Sequence, residues 1–288
     1  MQLKNLKEYR ERRHRRLRQK ISGTAARPRM ALCVSNSNLY VQFVDDETGK
    51  TLASASSLPL KAKLNVETAA KVGKAAAEAA KAAGISLVVV DRGLTEPVQT
   101  LEVVGDNPGF GRVSGEQLVK AIGGKGKVAL MQGVLCQVNT DRVEAFKKVL
   151  ADYPEIELLE EGVSDWSTEK GLRLMENYLQ KHPQLDAVWA GDDDVLLGAK
   201  KAYEESGRTD LRILLGGGGS KAVVKMILDG DPLVTQTVTY PPKMIYVAAQ
   251  EAAKLLAGET PAEARIVVPA EVIDASNAAA NYFPDSAY

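Results

Sequence analysis

The pattern of hydrophobic and polar positions changes period several times along this 288-residue chain, and the changes divide it. Residues 4–20, KNLKEYRERRHRRLRQK, have no apolar face, with Leu6, Tyr9 and Leu17 as their only large apolar side chains. Such a segment cannot bury enough surface to fold alone, so 1–28 is expected to be a basic flexible arm. From Arg29 to Ser57, the apolar runs Met30–Val34, Tyr40–Asp45 and Thr51–Ser56 are separated by Ser35-Asn36-Ser37-Asn38 and Asp46-Glu47-Thr48-Gly49. Both breaks are rich in turn formers, which predicts an antiparallel meander. Asn65 to Ala83 then carries a helical period, with Asn65 as N-cap, Glu67 in the first turn and Gly84 as the stop. Val88-Val89-Val90 has no polar alternation and predicts a strand buried on both faces, with Asp91-Arg92-Gly93 at its carboxyl end. Pro97 and the loss of period make 94–100 an extended crossing.

From Leu101 onward strand and helix patterns alternate. Strands are predicted at 101–105, 127–132, 156–160, 186–191, 211–216 and 233–239, and helices at about 111–122, 139–152, 167–181, 193–206 and 219–229. Alternation of this kind gives a parallel sheet covered on both faces. Lys243 to Ala257 adds a helix stopped by Gly258, and Arg265 to Val268 a last strand. The fold class is therefore α/β with two lobes joined by a hinge.

Composition narrows the class further. Aromatic residues make up only 5% of the chain, so the cores are aliphatic and rich in Ala. No apolar run approaches the ~20 residues that span a bilayer, and no apolar stretch of signal-peptide type follows the charged N-terminal segment. The expectation is a cytoplasmic protein, with no membrane association and a monomeric state. Cys33 and Cys136 lie 103 positions apart in apolar surroundings and are expected to be buried reduced thiols. His14 and His182 are the only histidines, and without a Cys or His pair at ligand spacing no metal site is expected. The formal net charge is zero, yet residues 1–29 hold eleven Lys or Arg against two Glu, a balance of +9. That local excess fits either a solvated arm or one that orders on nucleic-acid phosphates, and its density favours nucleic acid.

The N-terminal third resembles the large-subunit ribosomal protein that binds 5S rRNA, the eighteenth of that series. The resemblance rests on RRHRRLRQKISGTAARPR, then SN, Tyr40-Val41-Gln42, VDD, TGKTLASAS, and NVETAAKVGKAAAEAAKAAGI running into VVVDRG, over about residues 8–93. It implies that 5S rRNA contacts fall on Arg10, Arg12, Arg13, His14, Arg15, Arg16, Arg18, Lys20, Arg27 and Arg29. Two departures stand out. Cys33, Val34 and Ser37 replace an aromatic, an Arg and a Lys around the first hairpin, and the short helix and strand that finish the ribosomal domain after DRG are missing.

Residues from about 84 to 288 resemble the ribose-type periplasmic sugar-binding proteins of ABC transporters, through GIxxVVVDRGL, GDNxxxGR, NTDRVEAF, SDWSTEKGLRLMENYLQKHPQLDAVWAGDDDVLLGA and LDGDPLVTQTVTYPP. This resemblance implies sugar or polyol contacts from Asp91, Arg92, Asn139, Thr140, Trp166, Asp192 and Thr239, with Trp166 stacking on the sugar ring. Gly218 stands where many members carry a sugar-gripping Asp, so sugar or polyol binding is expected to be weak. Together the two resemblances imply a chimera: 29–93 plus 241–288 as a ribosomal-protein-like lobe with a mixed sheet, completed by the returning helix and strand. The second lobe is then a doubly wound one over 101–239, and 94–100 and 239–242 are the hinge crossings.

Three further patterns carry little chemistry. Adjacent carboxylates in Asp192-Asp193-Asp194 point in different directions, which fits a helix cap better than a magnesium site. GGGGSK lacks the GK[ST] ending of a phosphate loop and is read as a strand-to-helix turn. No Gly-x-Ser-x-Gly elbow and no His beside a nucleophile is present, so neither catalysis nor a cofactor is expected.

Overall fold

The structure, a computed structural model, describes residues 6–94, 97–240 and 243–286. Residues 95–96 and 241–242 of the two expected crossings lie outside the described residues, as do 1–5 and 287–288. In chain order the first elements are α1 (Leu6–Arg18), β1 (Arg29–Val34), β2 (Leu39–Asp45), β3 (Lys50–Ser56), α2 (Val66–Ala82), β4 (Val88–Val90) and β5 (Leu101–Gly105). There follow α3 (Asn107–Ile122), β6 (Gly126–Gln132), α4 (Gln137–Ala151), β7 (Ile156–Val163), α5 (Thr168–Lys181), β8 (Ala187–Trp189), α6 (Asp193–Ser206) and β9 (Ile213–Leu215). The last are α7 (Lys221–Asp229), β10 (Gln236–Val238), α8 (Lys243–Leu256), β11 (Arg265–Val268), β12 (Val272–Asp274) and α9 (Ala278–Asn281). They form two compact units, Met1–Val103 with Ile245–Ile266, and Val104–Met244 with Val267–Tyr288.

In the first unit the meander forms as its turns dictate, an antiparallel sheet in the order β1-β2-β3. The side chain of Asn65 accepts from Thr68 N at 2.8 Å and starts α2. This helix lays Val72, Ala76 and Ala80 on Leu39, Val41, Phe43 and Ala53, and the small alanines let helix and sheet approach closely. Register puts Met30, Leu32 and Val34 opposite Phe43, Val41 and Leu39, on the face that α2 covers. Yet these three edge residues are 56%, 61% and 62% exposed, because the helix does not reach across to β1.

Several expectations are corrected here. The arm is helical over α1, since its Arg, Lys, Leu and Glu residues are good helix formers whatever their lack of an apolar face. Cys33 is exposed rather than buried, because it pairs with Tyr40 on the outer face of an edge strand; Cys136 is half-buried, and both are free thiols. β4 is half-buried along its length rather than buried on both faces. The run 101–105, expected in the second lobe, instead pairs parallel with β4, Val88 opposite Leu101. β11 takes its other side in the order β11-β5-β4, with Glu102 N donating to Ala264 O at 2.9 Å.

The second unit is a parallel sheet in the order β7-β6-β8-β9. One face buries Phe110, Leu118 and Ile122 of α3 and Val143, Phe146 and Leu150 of α4, with Trp189 stacked on Phe146 at 4.1 Å between centroids. The other buries Met175 and Tyr178 of α5 and Val195, Leu196 and Ala199 of α6, together with α7. Residues from Val267 on group with this unit rather than with the first lobe, as 241–288 had been expected to do. The physical reason is an antiparallel pair, distant in sequence, that the sequence pattern did not reveal: β12 joins β10, Thr237 opposite Ile273, and Ala278 of α9 is fully buried in the same core.

Candidate functional site

The basic arm is built from one helix and one carboxylate. Residues 10–20 are all exposed, so Arg10, Arg12, Arg13, His14, Arg15, Arg16 and Lys20 present their side chains to solvent, as does Arg27. Arg18 and Arg29 are spent differently. Both converge on Asp46, whose Oδ2 accepts from Arg18 Nη1 at 2.9 Å, from Arg29 Nε at 2.9 Å and from Gly23 N at 2.8 Å. Arg29 Nη2 closes a fork on Oδ1 at 2.8 Å. This bidentate clamp, followed by the Gly23 and Arg18 bonds, holds the Asp46 carboxyl far below the usual carboxylate range. The turn residue Asp46 thus fixes where the arm leaves the sheet.

In the second unit the carboxyl ends of β6 and β8 are neighbours, although their connections run to opposite faces. A crevice at such a switch point is where an open α/β sheet presents polar groups to a ligand. Asp192 lies at the end of β8 and caps α6, accepting from Asp194 N at 2.9 Å. Burial pushes its carboxyl up to about 7, reinforced by the charges of Asp193 and Asp194 and opposed by the Asp194 N–H bond and by Arg142. Asp193 is not a ligand. It is 1% exposed, its Oδ2 accepts from Ser220 N at 2.6 Å and its Oδ1 from Thr237 Oγ1 at 2.9 Å, tying the 216–220 turn to β10.

The remaining predicted residues divide sharply. Trp166, half-buried, sits in a left-handed turn with Asp165, φ 55° and 51°, and its indole lies so close to Gly133 that a Cβ there would fall 2.0 Å from the ring. Asn139 is buried and spent on its own loop, accepting from Gly133 N at 2.7 Å and donating to Gln132 Oε1 at 2.8 Å. Thr140 Oγ1 donates to Cys136 O at 3.2 Å, and Thr239 Oγ1 accepts from Glu271 N at 2.9 Å. Asn139, Thr140 and Thr239 thus each make a hydrogen bond to nearby backbone. Asp91 and Arg92 belong to the first unit, where Asp91 adopts φ 74° and lies 4.0 Å from Arg92 Nε; both side chains are well exposed.

The same edge holds residues that the sequence reading did not single out as candidates. Arg142, 6% exposed, has its guanidinium 4.3 Å from the centroid of the Phe110 ring and 4.1 Å from that of Tyr240, while its Nε donates to Asn107 Oδ1 at 2.9 Å. Two rings and an amide hold one cation at the carboxyl edge of the sheet. Trp189 Nε1 is buried beneath them without a hydrogen-bond partner among the described residues. No group of three His, Cys, Asp or Glu placed to hold a metal occurs among the described residues.

A parallel sheet with helices on both faces and a polar switch-point crevice defines a binding protein of the two-lobed α/β class. The chain belongs to the periplasmic binding protein domain family, whose pattern matches residues 67–260. A second family, ribosomal L18 of archaea, bacteria, mitochondria and chloroplasts, matches residues 4–97. The D-apiose import binding protein of Actinobacillus succinogenes is 30% identical over 240 residues, 81% of this chain and 77% of that protein. The large ribosomal subunit protein uL18 of Lactococcus lactis is 57% identical over 84 residues, 29% of this chain and 72% of that protein. Among solved structures, the periplasmic binding component of the arabinose ABC transporter of Shewanella sp. ANA-3, bound to L-arabinofuranose, superposes with TM-score 0.65 and 28% identity, covering 72% of this chain and 70% of that one. Features of a ribosomal protein and of a sugar-binding protein are thus joined in one chain. No helix of the described residues is long and apolar enough to cross a membrane.

Proposed function

We propose that the chain is a non-catalytic recombined protein whose arm and first unit bind 5S rRNA, acting as a cytoplasmic monomer. The observation that carries this is the arginine-rich helix α1, exposed from Tyr9 onward and pinned at its base by Asp46. Pinning fixes the direction of the arm while leaving Arg10 to Arg16 at the surface, where phosphates are met. The likeness to uL18 supports RNA as the polyanion. The test is a gel shift with 5S rRNA over a salt series. Each phosphate contact contributes roughly 0.7–0.9 to the log–log slope, so Arg12, Arg13, Arg15 and Arg16 changed together to Ala lower the slope by about 3. An unchanged slope removes the arm as the binding element.

A second function rests on the Asp192 and Arg142 pair at the switch point, which offers an acceptor and a donor to the hydroxyls of a sugar or polyol. Binding there is weak, because Gly218 supplies no carboxylate and Asn139 is engaged by its own loop. One missing charge-assisted hydrogen bond costs about 1.5–3 kcal/mol, one to two decades of affinity. Calorimetric titration with pentoses, hexoses and polyols is expected to show no affinity tighter than micromolar. A sub-micromolar sugar whose binding is abolished by Trp166→Ala makes this the primary function. A chain that binds neither RNA nor sugar is a fold recombination without a ligand.

A further inference from the structure

The first unit contains an apolar cavity of about 360 Å³ whose walls come from α2, from the β1-β2-β3 sheet and from β4. Met30 and Phe43 line it from the first sheet, Gly73 and Ala77 from α2, and Val89 from β4. β1 ends one sheet and β4 the other, and among the described residues no strand pairs with the outer side of either. The phase of each ladder says which backbone groups are left over. Ser35 N donates to Asn38 O at 2.8 Å, so in the alternating antiparallel pattern the bonded pairs are Cys33 with Tyr40 and Ala31 with Gln42. The N–H and C=O of Met30, Leu32 and Val34 therefore point away from β2, and their side chains are more than half exposed. Asp91 N donates to Val103 O at 2.9 Å, which by the same alternation turns the N–H and C=O of Val88 and Val90 away from β5. A row of open backbone groups beside an apolar cavity selects an extended chain, since the edge needs a strand to pair with and the cavity takes every second side chain. We propose that β1 and the cavity form a docking groove for an extended peptide with apolar residues at alternate positions, paired along Met30, Leu32 and Val34. Its apolar side chains lie beside Met30 and Phe43 in the space lined by Gly73, Ala77 and Val89, and its polar ones fall on the opposite face with Ala31 and Cys33. A compact hydrocarbon fills the space yet leaves the edge unpaired, and a wholly polar strand pairs yet leaves the cavity empty. The described residues that line the cavity include none of α1 and all belong to the first unit, so the groove stands or falls independently of RNA and sugar binding.

Fluorescein-labelled Thr-Val-Thr-Val-Thr-Val-amide is titrated with the full chain and followed by anisotropy. It is expected to bind saturably at one site, about ten-fold more tightly than Thr-Thr-Thr-Val-Val-Val-amide, which in its best register puts a threonine in place of one valine in the cavity. Two further peptides carry N-methyl groups on the valines or on the threonines. One of these sets removes the donors that face β1, and that peptide is expected to bind more weakly by about ten-fold or more. Leu32→Pro deletes a free-edge N–H without touching the β1–β2 ladder, because Leu32 lies in a non-bonded pair. That variant is expected to keep its circular dichroism spectrum and to bind the alternating peptide about five-fold more weakly, the contribution of one hydrogen bond. A Cβ at Gly73 meets nothing within 4 Å, so Gly73→Phe can fill the cavity and is expected to abolish the preference for alternation. Equal binding of the two unmethylated peptides, full binding of both N-methylated ones, or undiminished binding by a folded Leu32→Pro variant overturns the proposal. So does an absence of peptide binding, whether size-exclusion chromatography then shows the edge covered by a second copy of the chain or a monomer throughout.

Discussion

Removing the Asp193 carboxylate tests how the carboxyl edge of the second unit is held in shape. In Asp193→Ala, Ser220 N and Thr237 Oγ1 lose acceptors at 2.6 and 2.9 Å in a site only 1% exposed, with no room for bulk water to replace them. Each buried donor left unsatisfied costs about 1–3 kcal/mol. Part of this is returned, because burial pushes the Asp193 carboxyl up and its removal relieves that desolvation. A net loss of about 3 kcal/mol follows, which in a domain of this size lowers Tm by roughly 6–12 °C. Both tryptophans, Trp166 and Trp189, lie in the second unit, so intrinsic tryptophan fluorescence during heating reports that unit without the first. Asp193→Asn keeps one acceptor while aiming an N–H at the other donor, and is expected to lose about half as much. A Tm for Asp193→Ala within 2 °C of the parent chain would refute the tie between the 216–220 turn and β10.

Two more outcomes follow from the same edge. The folded Asp192 carboxyl, raised to about 7 against about 4 in an unfolded chain, holds a proton that unfolding releases. Its stabilising contribution is full below about pH 4 and is lost as pH rises through about 7, so the Tm of the parent chain falls from pH 5 to pH 8 more steeply than that of Asp192→Asn; equal slopes reject the buried protonated form. At Gly217, a Cβ would lie 2.1 Å from Phe110 Cζ, so Gly217→Ala must displace the fully buried ring on which Arg142 packs. About 1–3 kcal/mol of overpacking strain is expected, read as a drop in the same fluorescence transition, and an unshifted transition shows that the ring is free to move.

Local chemistry was legible in the sequence wherever neighbours in sequence decide it. Asn65 caps α2 because its carboxamide needs only Thr68 N three residues on, and the starts of α5 and α6 lie within a residue of their predicted positions. Sheet membership was harder to read, since an apolar run such as Leu101–Gly105 carries the same signal whichever sheet takes it. Asp46 looked like one more turn residue, because its partners Arg18 and Arg29 lie 28 and 17 positions away. Arg142 lies within NTDRVEAF yet reads there as one basic residue among the charges of α4, and only the fold brings the rings of Phe110 and Tyr240 onto it. Family likeness placed Asn139 and Thr239 at the carboxyl edge, yet likeness in position does not say which local backbone groups their side chains also bond.

The two family matches overlap over 67–97, the stretch that holds most of α2 and all of β4. A helix followed by a short parallel strand can serve either family's sheet, because each asks only for an apolar helix stripe and a β-branched run. The stripe that α2 turns to the meander, Val72, Ala76 and Ala80, is filled by Leu39, Val41 and Phe43, which only the ribosomal match covers. The adjacent stripe, Ala70, Gly73 and Ala77, together with Leu87 and Val89, faces the cavity instead. That face has its walls from the shared stretch and its floor from residues that only the ribosomal match covers. An unfilled space of this kind forfeits dispersion contacts on every wall. Packing beside α2 is therefore looser on this face than on the face turned to the meander. Filling the cavity from Gly73 should therefore raise the stability of the first unit while leaving the tryptophan-reported transition of the second where it was.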